Sequence, residues 1–171
     1  MTQYLDMTQA KGCFGIISEN GETIVLTGVS VYSMPLSVKR DEGEAYDDFA
    51  RKYGIHFIFD DCIPDIDFYT VPKIEVTATD NNGGFIASVG EPFSLRDPVP
   101  LIYISADRKV YLITKDSSKF LSIASEWRNK LVPFDVITLY ESKEEARKEY
   151  PIIDFEQTEA YKRHMALVEH R

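Results

Sequence analysis

The chain has 171 residues, 44% of them hydrophobic and 12% aromatic, which excludes a disordered chain and suits one domain spanning residues 1–171. The formal net charge of -9, from 28 acidic and 19 basic residues, repels phosphate backbones and so argues against a nucleic-acid partner. No signal peptide is recognisable and no apolar run approaches the roughly 20 residues that span a bilayer, so we expect a cytoplasmic protein without membrane contacts.

The first predicted element is a β-hairpin. Residues 12–18 and 23–33 are rich in β-branched and aromatic side chains, as strands usually are. Between them, Asn20 and Gly21 tolerate the positive φ angles of a tight turn. The pattern therefore predicts two adjacent antiparallel strands.

A short helix is predicted next. Residues 34–42 carry several charges after a proline and are interpreted as a connection. Ala45, Phe49 and Tyr53 then recur at intervals of four residues, which is typical of one helix face, and Gly54 is expected to end this helix.

The middle of the chain is predicted to form a second hairpin. Residues 56–59 are a short strand candidate, and the acidic residues that follow, 60–67, break the pattern as a loop. Residues 68–79 and 85–89 have strand character, and the turn-forming residues 80–84 join them.

A third hairpin and the helices complete the prediction. Residues 101–104 and 110–113 are its strands, and Asp116 is suited to cap a helix that follows. Apolar residues with helical spacing fill that helix: Phe120, Ile123, Ala124, Trp127 and Leu131. A strand at 136–140, a short helix capped by Ser142 and a C-terminal helix from Asp154 follow.

These elements predict an α+β fold in a single domain. We expect a mainly antiparallel sheet of about six to eight strands, with helices packed on one face and at the C-terminus. Cys13 and Cys62 lack metal-site spacing and are expected to be reduced core residues.

Signals for catalysis are weak. Nucleophilic catalysis needs a Ser or Cys beside a general base, and none of the three histidines, His56, His164 and His170, accompanies a recognisable nucleophile motif. Glycine-rich phosphate-binding patterns do not occur. The sequence predicts no catalytic residue, no metal ligand and no cofactor.

The most distinctive feature is an acidic stretch. Residues 41–67 hold nine acidic residues against only Arg51 and Lys52. A solvated acidic face, a hard-metal site and a surface complementary to a basic protein all remain open, although the spacing of an EF-hand loop is absent.

A family resemblance covers residues 68–131. A glycine-containing turn at 79–85, strands at 102–104 and 110–113, and a helix that opens at 117–121 follow one another in order. This order resembles the SUKH superfamily of bacterial immunity proteins, relatives of Syd and Knr4. The resemblance implies an α+β protein that neutralises a cognate toxin, such as a basic toxin domain, by steric and electrostatic occlusion.

Candidate partner-binding residues follow from the acidic stretch and this resemblance. Four are carboxylates suited to a basic partner and two are aromatic anchors: Asp60, Asp61, Asp65, Asp67, Phe68 and Tyr69. We therefore expect a protein-binding module rather than an enzyme.

Two other classes stay open. An enzyme or small-ligand-binding domain would have a pocket lined by polar groups around His56 and the loop 60–67, whereas a protein binder would show an exposed acidic patch without a cavity. An oligomer-forming structural protein would show an uncovered sheet edge near Pro72.

Overall fold

The computed structural model describes residues 2–8, 23–89 and 99–169, and these form an α+β fold. Its strands are β1 (Thr2–Asp6), β2 (Thr23–Thr27), β3 (Val29–Val31), β4 (Ile55–Phe57), β5 (Tyr69–Val71), β6 (Ile74–Asp80), β7 (Phe85–Val89), β8 (Leu101–Ile104), β9 (Val110–Thr114), β10 (Val132–Pro133), β11 (Thr138–Tyr140) and β12 (Ile152–Asp154). The α-helices are α1 (Leu36–Tyr53), α2 (Phe120–Ile123), α3 (Lys143–Arg147) and α4 (Glu159–Glu169). Short 3-10 helices cover Ser117–Lys119, Ala124–Lys130 and Phe155–Gln157.

The main sheet has seven strands and confirms the predicted sheet. Its order is β10-β9-β8-β7-β6-β3, and β4 also pairs with β6. Every pair is antiparallel except β3 with β6. The predicted second and third hairpins are therefore present, as β6–β7 and β8–β9.

Helices cover one face of this sheet, as predicted. Trp127 and Phe120 are buried there against Tyr103, and the Trp127 indole N–H donates to the Tyr53 carbonyl of α1 at 2.9 Å. The opposite face is buried by segments without helical structure, among them the residues around Ile58 and Phe68. Successive side chains of a strand point to opposite faces, and the central strands β7 and β8 are buried on both faces, so one sheet supplies both cores.

The helix α1 is longer than predicted. It begins at Leu36, directly after Pro35, so most of the predicted connection 34–42 is helical. None of its residues is fully buried, and its charged first half lies in solvent. Apolar periodicity is visible only from Ala45 onward, which explains the late predicted start. Gly54 ends the helix with φ 69° and donates its N–H to Ala50 at 2.8 Å.

Replacement of two glycines of this region by alanine is expected to change the free energy of unfolding in opposite directions. Gly54→Ala forces a left-handed residue to carry a Cβ and should lower the free energy of unfolding by about 1 kcal/mol. Gly43 lies within α1 with nothing near an added Cβ, so Gly43→Ala should raise it by about 0.5–1 kcal/mol. Urea unfolding followed by circular dichroism measures both, and equal effects of the two would contradict the assigned backbone conformations.

A second sheet was not predicted. Its order is β12-β1-β2, and both pairs are parallel. The predicted strand 23–33 is wrong because Gly28, with φ 102°, divides it into β2 and β3, which join different sheets. The other predicted arm, 12–18, lies outside the described residues.

Two further boundaries are corrected. The predicted strand 68–79 is two strands separated by Pro72, and the first of them, β5, pairs with β11. The C-terminal helix begins at Glu159, where Thr158 Oγ1 accepts a hydrogen bond from Tyr161 N, whereas Asp154 belongs to β12. The predicted caps Asp116 and Ser142 are confirmed.

Both caps accept a backbone hydrogen bond at the start of a helix. The Asp116 carboxylate accepts from Ser118 N at 3.0 Å, and Ser142 Oγ accepts from Glu145 N at 3.2 Å. These bonds satisfy amide groups that have no partner within the first helical turn. Local sequence therefore fixes where these two helices begin.

Candidate functional site

A groove of about 1050 Å³ lies between α1 and the segment 56–64. Backbone hydrogen bonds hold the start of α1 beside this segment: Met34 N donates to Ile58 O at 2.9 Å, and Asp60 N donates to Met34 O at 3.0 Å. The groove therefore exists because the chain before α1 pairs with the chain after β4.

Aromatic side chains pack α1 onto β4 inside the groove. The Tyr46 ring lies 5.5 Å from Phe57 and 5.4 Å from Phe59, with edge-on geometry in both pairs. Phe49 lies 5.3 Å from Phe57 on the helix side. Such edge-on pairs add roughly 0.5–1.5 kcal/mol each beyond their buried area, so the base of the groove is held firmly.

The rim of the groove is acidic. Within α1 the lining includes Glu42, Glu44 and Asp47, all exposed, together with the ion-paired Arg40 and Asp41. None of these three forms a hydrogen bond or ion pair with another residue that the structure describes. We call these three residues the α1 carboxylates. They present negative charge that no described cation contacts directly.

An ion pair lies in the lining of the groove. Lys39 Nζ lies 2.6 Å from Asp61 Oδ2 and 5.8 Å from the centre of the Phe59 ring. The hydrogen bond raises the pKa of Lys39 and lowers the pKa of Asp61. Each group is thus held in its charged form, which suits charge recognition and does not suit proton transfer near neutral pH.

The four predicted aspartates are exposed, as expected, but they do not converge on one site. Asp61 lines the groove, whereas Asp60, Asp65 and Asp67 are not part of its lining. Asp67 pairs with Arg108 at 2.8 Å on the other side of the loop. The structure therefore brings one of the four together with the α1 carboxylates.

Phe68 and Tyr69 are core residues, which corrects their predicted role as exposed anchors. Phe68 is 8% exposed and packs against Phe85 beneath the Arg108 guanidinium, which lies 5.1 Å from its ring. Tyr69 is 6% exposed and donates to Asp6 at 3.1 Å. Neither ring is available to a partner in this conformation.

An exposed aliphatic side chain lies inside the predicted loop and was missed. Ile63 is 54% exposed and stands between Cys62 and Pro64, both of which line the groove. The sequence carried no signal for its exposure, because single apolar side chains on a surface are ordinary and only larger apolar patches mark contact surfaces. Cys62 is exposed, which corrects its predicted core position, and Cys13 lies outside the described residues.

The groove also contains groups that enzymes use. His56 and Cys62 both line it, and the His56 Nε2 atom hydrogen-bonds to Asn81. Within the described residues, no group of three or more His, Cys, Asp or Glu side chains is arranged to hold a metal ion.

A separate polar network lies at the carboxyl end of the parallel sheet. Asp6 is buried and accepts hydrogen bonds from Lys143 at 2.6 Å and from the Thr8 hydroxyl at 2.7 Å. Lys143 also donates to Asp154, so one cation joins β1 to β12. Burial opposes ionisation of Asp6, yet these hydrogen bonds keep its pKa below the usual range. The network is saturated by internal partners.

A second network surrounds the turn between β6 and β7. The buried Asp80 carboxylate accepts from Gly84 N at 2.6 Å, from the Tyr103 hydroxyl at 2.6 Å and from Arg128 at 3.1 Å. Burial would raise the pKa of Asp80, but these donors lower it. Burial and the bond to Asp80 raise the pKa of Tyr103 to about 12. This network holds a turn and a helix in place, and its polar groups are paired with each other. The groove is therefore the better candidate for a functional site.

Comparison of the chain with family models, with curated proteins and with solved structures finds no match. The resemblance to the SUKH superfamily therefore stays a prediction. In the described parts of the chain, no helix combines the length and apolar character needed to cross a bilayer.

Proposed function

We propose that this protein binds a basic segment of another protein in the groove between α1 and residues 56–64. The observation that carries the proposal is the row of α1 carboxylates, which line the groove without a hydrogen bond or ion pair to a described residue. Lysine and arginine side chains of a partner would complement this charge. The aromatic base and Ile63 supply apolar contacts beside it.

A pocket beside His56 and the loop 60–67 is the feature expected of a small-ligand site, so the size and the exposed charges of the groove are what support a polypeptide instead. Small-ligand pockets are typically enclosed, mainly apolar and about 300–1,000 Å³ in volume. This groove, at about 1050 Å³, lies just above that range, and its charged side chains are exposed. A groove with exposed charges in its lining suits an extended or helical segment that brings several cations at once.

An immunity function is the form of binding that we propose. The resemblance of residues 68–131 to SUKH proteins supports it, and so does the acidic groove, because carboxylates can take the place of phosphates in the basic cleft of a nuclease toxin. Occupation of that cleft would block substrate access by steric and electrostatic occlusion.

Neutralising the α1 carboxylates is expected to abolish most partner binding. In the triple variant Glu42→Gln, Glu44→Gln, Asp47→Asn, each lost charge removes roughly 0.5–1 kcal/mol, so affinity should fall about 10- to 100-fold at low salt. The fold should be retained because like charges on one helix repel each other. Tagged wild type and variant are used to capture proteins from the native host, with mass spectrometry at low and high salt.

A matched control separates this groove from net charge. The variant Glu141→Gln, Glu156→Gln, Glu169→Gln removes three exposed charges that do not line the groove and should capture the same partner as wild type. The captured protein, expressed alone, is expected to arrest growth, and co-expression of this chain should restore it. Equal capture by the triple variant and wild type would reject the groove, and growth without arrest would reject the immunity function.

The second candidate function is small-ligand binding or catalysis of an unrecognised class. The position of the groove favours it, because His56, Asp61 and Cys62 all line the same cavity. Native mass spectrometry of the purified protein would reveal a retained small molecule. The first proposal would give way to this one under two conditions. The wild-type protein would capture no protein partner, and the retained small molecule would be absent from a Cys62→Ser, His56→Gln variant.

A further inference from the structure

Lys39 already places an ammonium group in the groove, whose lining also includes Arg40. Its ammonium group pairs with Asp61 at 2.6 Å and stands over the Phe59 ring at 5.8 Å. A carboxylate and an aromatic ring together form the arrangement that proteins use to recognise a cationic side chain. The chain supplies the first occupant of this arrangement from its own helix.

We infer that Asp61 and Phe59 form a cation subsite that takes an arginine side chain of the partner, with Lys39 as an internal placeholder. This inference rests on the proposed function, because it names the partner residue that the groove would recognise. It also makes the free groove partly self-occupied, so that binding includes the displacement of Lys39.

Displacement of Lys39 is physically easy. The side chains of Lys39 and Asp61 are 49% and 41% exposed, so water and an incoming group reach both. Exposed ion pairs between flexible side chains contribute little to stability. Once released, Lys39 keeps its hydration by turning into solvent along the exposed side of α1.

Arginine fits this subsite better than lysine. A guanidinium group is planar, so it can lie on the Phe59 ring while its N–H groups form two parallel bonds to the Asp61 carboxylate. An ammonium group forms a single point contact with the carboxylate, as Lys39 does at 2.6 Å. The partner segment should therefore carry an arginine, with further basic residues facing the α1 carboxylates.

Direct binding of two labelled peptides tests the subsite. The probes are fluorescein-labelled peptides of five arginines, or five lysines, alternating with glycine, measured by fluorescence anisotropy at low salt. Wild type should bind the arginine peptide more tightly than the lysine peptide. Lys39→Met should raise affinity for the arginine peptide about fivefold, and Asp61→Asn should lower it and cancel the gain of Lys39→Met.

Charge-matched controls distinguish the subsite from overall charge. Lys52→Met makes the same charge change on α1 outside the groove lining and should alter affinity less than twofold, as should Asp65→Asn in the loop. Equal gains in the Lys39 and Lys52 variants would overturn the subsite. If the α1 carboxylate variant still weakened binding in that case, the proposed function would stand, and if it did not, both would fall.

Discussion

Replacement of Lys143 by Met is expected to lower the free energy of unfolding by about 2–3 kcal/mol at pH 7. Lys143 donates to both Asp6 and Asp154, and removal of one partner from a buried ion pair costs roughly 3–5 kcal/mol. The expected cost is below this range because the Lys143 side chain is 24% exposed. Water can therefore hydrate part of the carboxylate charge that Lys143 leaves behind. Urea unfolding followed by circular dichroism measures the loss.

The pH dependence of this loss identifies its cause. In wild type, the lowered pKa of Asp6 stabilises the fold above the unfolded-state pKa of about 3.9, and this contribution is lost as pH falls through the folded-state pKa. Without Lys143, burial and the nearby Asp154 carboxylate raise the pKa of Asp6 instead. The folded variant then takes up a proton first, so its deficit relative to wild type should shrink between pH 7 and pH 5.

Lys148→Met is the matched control for this prediction. Lys148 follows the same helix, α3, and pairs with Glu145 at 2.8 Å in solvent, so its loss should cost less than about 0.5 kcal/mol. A Lys143→Met deficit of the same small size, or one that does not change between pH 7 and pH 5, would show that the network does not join β1 to β12.

Replacement of Asp80 by Asn is expected to cost about 3 kcal/mol. The carboxylate accepts from Gly84 N, the Tyr103 hydroxyl and Arg128, and an amide can offer only one of its two positions as an acceptor. The buried amide N–H group of the new side chain then faces the Arg128 guanidinium, so two donors meet where a donor and an acceptor had paired. Exposed Asp107 accepts from Ser105, and Asp107→Asn should change stability little.

The only tryptophan of the sequence reports on this site. Trp127 lies 5.2 Å from the Tyr103 ring, and the Arg128 guanidinium stands 4.4 Å from the indole. Asp80→Asn should therefore change Trp127 fluorescence in the folded state as well as shift the urea midpoint to lower concentration. An unchanged emission spectrum together with an unchanged midpoint would contradict the network.

Local signals in the sequence predicted the main sheet well. The turn residues 80–84 and the cap at Asp116 form hydrogen bonds with residues next to them in the sequence, so they can be predicted without tertiary structure. The parallel sheet was missed because Tyr4 pairs with Val25 and Ile152, and no local pattern specifies such distant partners. Gly28 was read as a strand residue, although its positive φ divides β2 from β3.

The sequence predicted that acidic residues form the candidate site, but it did not predict the groove in which they lie. Charge alone placed Asp61 and its neighbours in solvent, because ionised carboxylates are rarely buried. The burial of Tyr69 depends on Asp6 and Thr27, which hold its hydroxyl group from another part of the chain. The groove depends on the packing of α1 against β4, which the sequence does not display.

The pairing of β12 with β1 has a consequence for how the protein is made. Tyr4 is synthesised well before its sheet neighbour Ile152. Until then β1 offers one unpaired edge, and open strand edges invite pairing with other chains. A nascent chain that stops short of residue 152 would keep this edge open and would also lack Asp154, one of the two carboxylates that Lys143 joins.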